Sequence, residues 1–346
     1  MLSLPIGSGE QSRLSSHQLA EHIATKIAMN SPHVVVFGSL NADLVMSVPH
    51  LPQSGETLLA GSFTTVPGGK GANQAAALAR LNVPTTLVGR VGDDDFGRML
   101  QASLKHVGAD TSGVAVDPDA PTGLASIAVA TGGENHIIVV PGANNRLDAS
   151  DIARLRSFLD GAAMLLLQLE VPLSAAIAAA QSACDLGVPV LLDPAPARAL
   201  PPELYAAVDA ISPNATEAEV LVGFAVTDSA TAARAADVLL QRGVGLTLMT
   251  LGEQGVYCAT AREAFFAPAF PIAGVDTVAA GDAFNGAYAA ARFHGLDLQR
   301  AVTWGQAAGA IAASRPGSQS SLPTADELRS FLSDRGISFG VLAGIE

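Results

Sequence analysis

The chain has 346 residues, of which 49% are hydrophobic and 15% charged, with a formal net charge of −13. That acidity, with no basic tract, argues against a nucleic-acid or anionic-membrane partner, although backbone N–H groups can still hold a small anion. Cys184 and Cys258 lie far apart without CxxC spacing, so neither a disulfide framework nor a zinc site is expected and a reducing cytoplasm fits.

Residues 1–32 read as an appended segment. Ser15-Ser-His-Gln18 matches a capping box, and Leu19, Ile23 and Ile27 follow at helical spacing until Ser31-Pro32, so an amphipathic helix or a partly disordered arm is expected. Ser, Glu and His interrupt any secretory h-region, and no apolar run approaches the roughly 20 residues of a membrane span. From residue 33 the pattern alternates. HVVVFG at 33–38 predicts a buried strand, and 40–66 switches to short polar-apolar stretches typical of a small sheet. A helix over 72–81, a strand at 85–90 and a helix near 95–107 follow, then strand-like segments within 111–141. Further strands are predicted at 163–169, 188–192, 208–212, 245–250 and 255–259, with helices between them. Helices are also predicted at about 281–294, 298–314 and 324–335. The expected fold class is α/β: residues 33–340 form a doubly wound, mostly parallel sheet flanked by helices, with a small β-lid from about 41–66 and 111–141. Ligands of such sheets bind at the carboxyl ends of the strands.

Several segments at those ends carry chemistry. Val66-Pro-Gly-Gly-Lys-Gly-Ala-Asn73 is dense in glycine but is no P-loop, because Thr64 stands where the first Gly belongs and Gly71 follows the Lys. Nor is it GxGxxG, since Gln74 takes the third glycine's place. It is either a plain loop or a turn that brings the backbone close to a ligand at a helix start, with Lys70 and Asn73 facing it. Asn41 and Asp43 follow the first strand at a spacing that puts both on one face, suited to sugar hydroxyls or to an Asx-turn. Gln168-Leu-Glu170 ends an apolar strand, and Asn214-Ala-Thr-Glu217 reads as a capping box or as oxygen ligands near Mg²⁺. Thr250-Leu-Gly-Glu-Gln-Gly255 is a strand end with a tight turn. In Asp276-Thr-Val-Ala-Ala-Gly-Asp282 the last carboxylate is either an N-cap or a base beside amides left free for an anion.

In order, these segments resemble the ribokinase family of sugar kinases, the PfkB-type carbohydrate kinases. The stretches that carry the resemblance are Gly38-Ser-Leu-Asn-Ala-Asp43, Pro67-Gly-Gly-Lys-Gly-Ala-Asn-Gln74 and Gly89-Arg-Val-Gly-Asp-Asp-Asp-Phe-Gly97. Pro141-Gly-Ala-Asn144, Gln168-Leu-Glu170, Asp193-Pro-Ala-Pro-Ala-Arg198 and Pro213-Asn-Ala-Thr-Glu-Ala-Glu219 continue it, and Thr250-Leu-Gly252 and Asp276–Asp282 complete it. Together they cover residues from about 33 to 335. The resemblance implies ATP-dependent phosphorylation of a sugar, D-ribose at its 5-hydroxyl in the first instance. It implies Asp282 as general base and the amides of Ala279, Ala280, Gly281 and Asp282 as an anion hole. Asn41, Asp43, Gly69, Lys70, Asn73 and Glu170 would hold the sugar. Asn214 would approach the nucleotide phosphates and Glu217 would organise Mg²⁺ through water. Thr250, Leu251, Gly252, Glu253, Gln254 and Gly255 would line the adenine side, with Gln306 near the base. A K⁺ ion would take oxygens of Asp276, Val278, Ala312, Arg315, Gly317 and Ser321. Ala283 and Gln306 depart from the family's usual residues and leave nucleotide preference open.

Competing readings are a kinase of deoxyribose, fructose or adenosine on the same fold, or a sugar sensor without catalysis. The sugar-side set lacks the Arg cluster expected for a sugar phosphate, and aromatics, at 5%, offer no slot for a base near it. A homodimer through the lid is also expected, with Leu44, Met46, Leu58, Phe63 and Ile127 as contacts.

Overall fold

A computed structural model describes residues 32–132 and 134–340. The helical pattern expected near Ser15–Ile27 lies outside the described residues. The strands are β1 (His33–Phe37), β2 (Asn41–Val48), β3 (Ser62–Gly68), β4 (Thr85–Gly92), β5 (Asp110–Asp117), β6 (Gly123–Ala130) and β7 (Asn135–Val140). They continue as β8 (Ala162–Leu167), β9 (Val190–Leu192), β10 (Ala210–Ile211), β11 (Leu246–Thr250), β12 (Gly255–Thr260) and β13 (Ala264–Pro268). The helices are α1 (Lys70–Arg80), α2 (Asp95–His106), α3 (Ala149–Leu159), α4 (Leu173–Asp185) and the single turn α5 (Pro202–Tyr205). After these come α6 (Ala215–Val222), α7 (Ser229–Gln241), α8 (Ala280–Phe293), α9 (Leu298–Ala313) and α10 (Ala325–Ser333).

The large sheet runs β13-β12-β11-β10-β9-β8-β1-β4-β5, parallel from β11 to β5 and antiparallel at β12 and β13. Both faces of β1 are buried, which is why it reads as one apolar run. Val34 and Val36 enter the core shared with α1, α2, α8, α9 and α10, while Val35 and Phe37 enter that of α3, α4, α6 and α7. A second sheet, ordered β3-β2-β6-β7, forms the small layer.

Two expectations need correction. The alternation of residues 110–117 points to the lid, but β5 is the parallel edge strand of the large sheet. An edge strand is half-buried and alternates like a strand of a small sheet, so the pattern alone does not separate them. β13 was not expected. It is a short edge strand that ends in Pro268, a composition that weakens a strand signal. Among the described residues no helix is long and apolar enough to cross a membrane.

Side-chain caps separate the helices into two groups. Asp94, Asp148, Asn214, Asp228, Asp297 and Thr324 cap α2, α3, α6, α7, α9 and α10 in the ordinary way. The others have no side-chain cap: α4 and the single turn α5 start behind Pro172 and Pro201, and α1 and α8 behind Gly69 and Ala279. The uncapped ends of α1 and α8 meet in one place.

Candidate active site

The place is the topological switch point of the large sheet. From β1 the chain runs outward to β4 and β5 on one side, then returns to β8 and builds outward on the other. The crevice therefore opens beyond the carboxyl ends of β1 and β8, where Gly38–Asp43 and Gln168–Glu170 emerge. Gly69 caps α1 with φ 88°, and a Cβ there would sit 2.6 Å from the Asn41 nitrogen, so the turn accepts only glycine. One turn into α1, Lys70, Asn73 and Gln74 share a face at i, i+3 and i+4.

That face receives Asp282. Asn73 Nδ2 donates to its Oδ2 at 3.0 Å, Gln74 Nε2 donates to its Oδ1 at 3.1 Å, and Lys70 Nζ stands 4.0 Å from Oδ1. Asp282 is 3% exposed, sits in the first turn of α8 and caps nothing. The capping alternative is thereby excluded. Ala279 takes the left-handed conformation at φ 60°, uncommon for a residue with a Cβ and of a kind that gathers at functional sites. Gly281 beside it is exposed, with nothing within 4 Å of where a Cβ would stand. The Ala280 amide donates to Thr277 O at 3.2 Å, so the α8 N-terminus presents the N–H groups of Ala279, Gly281 and Asp282 next to a buried carboxylate, the geometry that binds anions.

On the β1 and β8 side, Glu170 Oε2 accepts from Ser39 Oγ at 2.5 Å, the Lys70 amide at 3.1 Å and Asn41 Nδ2 at 3.4 Å. Asn144 Nδ2 donates to Asn41 Oδ1 at 2.8 Å, which fixes that amide with its NH₂ toward Glu170. Gly68 makes room for the Asp43 carboxylate, which a Cβ there would strike. Burial, then the charges of Glu170 and Asp282, push the Asp43 carboxyl up to about 7. A carboxyl raised in this way holds its proton more tightly in the folded state. The stability so gained is complete below 3.8 and is lost as pH rises through about 7. The melting temperature of the sugar-free protein is expected to fall between about pH 5 and pH 7.5, and Asp43→Asn to flatten that fall. Equal slopes in thermal scans of the two proteins would contradict the assignment.

Lys70 joins these carboxylates. Its Nζ is 3.5 Å from Asp193 Oδ2, and although burial works against the ammonium, Asp193, Asp282, Glu170 and Glu217 hold its pKa above the ordinary value. Burial, with the charges of Asp282, Glu217 and Glu170, raises the Asp193 carboxyl to about 7 against the opposing pull of Lys70.

Across the crevice, Asn214 and Glu217 form a reciprocal capping box: the Asn214 amide and Nδ2 each donate to Glu217 at 2.8 Å, and the Glu217 amide donates back at 2.9 Å. Burial raises the Glu217 carboxyl, and Asp282 adds to the effect. Asn285 of α8 accepts from Ser212 Oγ at 2.6 Å, tying this end of β10 to the helix that carries Asp282. The Thr250 amide donates to Pro213 O at 3.0 Å, and the turn 252–254 is tied back by Leu251 N to Gly255 O at 2.8 Å. Gln254 and Gln306 spend their amides on the backbone, on Thr227 O at 2.8 Å and on Ala267 O at 2.7 Å respectively. Asp276 accepts from the amides of Val278 at 3.0 Å and Gly317 at 3.1 Å, so the loop before α8 and the loop after α9 are joined. Arg315 turns its guanidinium to Glu327 at 2.8 Å. The Ala312 carbonyl accepts from the Arg315 amide, and Ser321 Oγ donates to Ser318 O at 2.7 Å.

Sequence reasoning gave no role to Ser39, Gln74, Asn144, Gln168 or Asp193, all of them buried in this network. Gln74 was accessible as the i+4 partner of Lys70, and Asp193 as a carboxylate directly after β9.

Residues 31–325 match the pfkB family carbohydrate kinase profile. The chain belongs to the pfkB family of carbohydrate kinases. This pfkB-family chain is 39% identical over 299 residues to a ribokinase of Haemophilus influenzae, covering 86% of the chain and 98% of that relative. It is 35% identical to a deoxyribokinase of Salmonella typhi, over 87% of the chain and 98% of the relative. The structure of Arabidopsis thaliana ribokinase complexed with ribose and ATP matches it with a TM-score of 0.81 at 33% identity, covering 87% of this chain and 99% of that one. The pfkB-family protein is therefore a phosphotransferase with an alcohol acceptor.

Proposed function

We propose that the enzyme transfers the γ-phosphoryl group of ATP to the 5-hydroxyl of D-ribose, giving ribose 5-phosphate. The observation that carries this reading is the uncapped α8 N-terminus, with the amides of Ala279, Gly281 and Asp282 open beside buried, externally clamped Asp282. Asp282 takes the proton of the sugar hydroxyl as the phosphorus–oxygen bond forms, and the amides of Ala279 to Asp282 neutralise charge on the transferring group. A weak base suffices, because the hydroxyl becomes acidic only late in the transfer. Asn41, Asp43, Lys70, Asn73 and Glu170, with the backbone at Gly69, orient the sugar, and their neutral and acidic character suits a polyol. Asn214 faces the nucleotide phosphates, residues 250–255 line the adenine side, and Gln306 braces that wall.

Both oxygens of Glu217 are already engaged with Asn214, a state that fits water-mediated rather than direct contact with Mg²⁺. Mg²⁺ held there would supply positive charge against the nucleotide phosphates. Around Asp276 the donor set is oxygen only, carries one negative charge and has the Arg315 guanidinium turned away, which fits a monovalent cation. Asp276, Val278, Ala312, Arg315, Gly317 and Ser321 would hold K⁺ by these oxygens, and the ion would strengthen the positive field at the anion hole.

The similarity to a deoxyribokinase makes 2-deoxyribose the second reading for the same chemistry. Initial rates with ATP and Mg²⁺ on ribose, deoxyribose, fructose and adenosine, with K⁺ and with Na⁺, test the assignment. Ribose is expected to give the highest kcat/KM, rising with K⁺. A preference for deoxyribose would replace the substrate and keep the mechanism; ribose binding without turnover on any sugar would sink it in favour of a sensor.

The unit at 33–340 is proposed to act in the cytoplasm as a homodimer, with residues 1–32 as an extension of it. Phe63, 60% exposed, and the exposed β7 residues Ile137–Val140 leave an apolar surface on the small sheet. Ile127, expected among the contacts, is buried and faces inward. A monomer in sedimentation at micromolar concentration would contradict the dimer.

A further inference from the structure

One amide sits between the two most buried carboxylates of the site. Gln74 Nε2 donates to Asp282 Oδ1 at 3.1 Å and to Asp193 Oδ2 at 3.0 Å, so the two hydrogens of one NH₂ group serve two acids. Its carbonyl accepts from Gln168 Nε2 at 2.6 Å. Gln74 is 1% exposed and Gln168 fully buried. This orientation is forced: flipping the Gln74 amide would turn its oxygen on two carboxylates and its NH₂ on that of Gln168. Gln168 in turn has room only because residue 38 is glycine, since a Cβ there would strike its Oε1. The helix that carries Gln74 lies close against the one that carries Asp282. A Cβ at Gly286 of α8 would come within 2.5 Å of the Ala77 Cβ of α1.

We propose that Gln74, held in register by Gln168, is a positioning residue for phosphoryl transfer, fixing the Asp282 carboxylate against the sugar hydroxyl through an amide bridge to Asp193. This rests on Asp282 being the base. Without Gln74, Asp282 keeps one short contact, from Asn73, and is free to turn about it. The raised Asp193 carboxyl is consistent with this division, since burial and the neighbouring charge of Asp282 both favour a proton on the second acid. The charged and titratable groups facing the pair are Lys70, Asp43, Glu170 and Glu217.

The test uses Gln74→Met and Gln168→Met, which keep length and remove the amides, together with the double variant. Gln74→Met is expected to lose about 30- to 100-fold in kcat, the scale of a misplaced reacting group, with KM for ATP unchanged. The acid limb of its kcat profile is expected to move to higher pH, because the ionised base has lost a donor. Gln168→Met should show the same changes in smaller measure, and the double variant should be no worse than Gln74→Met. A wild-type kcat and acid limb in Gln74→Met would overturn the proposal, as would losses that multiply in the double variant. Should Gln74→Met fail to fold, Gln168→Met decides by the same two readouts. Asp282→Asn run in parallel separates the layers: full activity there overturns the base itself, whereas a dead Asp282→Asn beside an unaltered Gln74→Met overturns only the bridge.

Discussion

Asp282→Asn is expected to lower kcat about 100- to 10,000-fold, the range that a positioned general base contributes, while leaving KM for ATP nearly unchanged. The substitution is almost isosteric, so the chain should still fold. It removes one of several like charges gathered around Asp43 and Asp193, which favours the variant, and sets an NH₂ against the donors of Asn73 or Gln74, which opposes it. The two effects are of similar size, so the melting temperature should move little. Steady-state kinetics beside a thermal scan give the decision. A variant within tenfold of wild type would remove Asp282 as the base and return α8 to the role of an anion site alone.

Lys70→Met is the second large effect. Among the described residues, Lys70 is the one cation within ion-pair distance of both Asp193 and Asp282. Removing it leaves buried carboxylates without a counter-charge, a loss of about 3–5 kcal/mol when such a pair is wholly enclosed. Lys70 is 28% exposed at its side chain, so water softens the loss to about 2–3 kcal/mol. The sign is checked by pH. In the variant the Asp193 carboxyl loses the pull of Lys70 and rises further above its unfolded value, so stability should return on acidification toward pH 5 and fall away toward pH 8. Urea unfolding of both proteins at those two pH values measures it. A variant deficit independent of pH would mean that Lys70 contributes packing and not charge.

The sequence made some parts of this legible for clear reasons. Buried parallel strands have apolar residues on both faces, so β1, β8 and β11 stand out as runs, and crossover lengths between them dictate a parallel sheet. The glycines at 68–71 were readable as a turn at a helix start, but that Gly69 is required by the backbone of Asn41 was not. The edges were not. β5 alternates because one of its faces is open, and alternation carries no label for the sheet to which it belongs.

For the site, Asp282 was legible as a lone acid at a helix mouth, but not whether it caps. Only the donors from α1, more than 200 positions earlier in the chain, settle that, and no local pattern contains them. Gln74 and Gln168 were illegible for the same reason: an amide at the end of an apolar strand has no meaning until its partner is placed. Asp193 follows β9 as plainly as Glu170 follows β8, yet a turn before Pro194 accounts equally well for an aspartate at that position.

The most direct measurement is the position of the new phosphate ester. Wild-type enzyme, ATP, Mg²⁺, K⁺ and uniformly ¹³C-labelled ribose should give a product whose phosphorus couples to C5, formed about 100- to 10,000-fold more slowly by Asp282→Asn. Phosphorus coupled to C1, or no ester from ribose when deoxyribose yields one, would contradict the account.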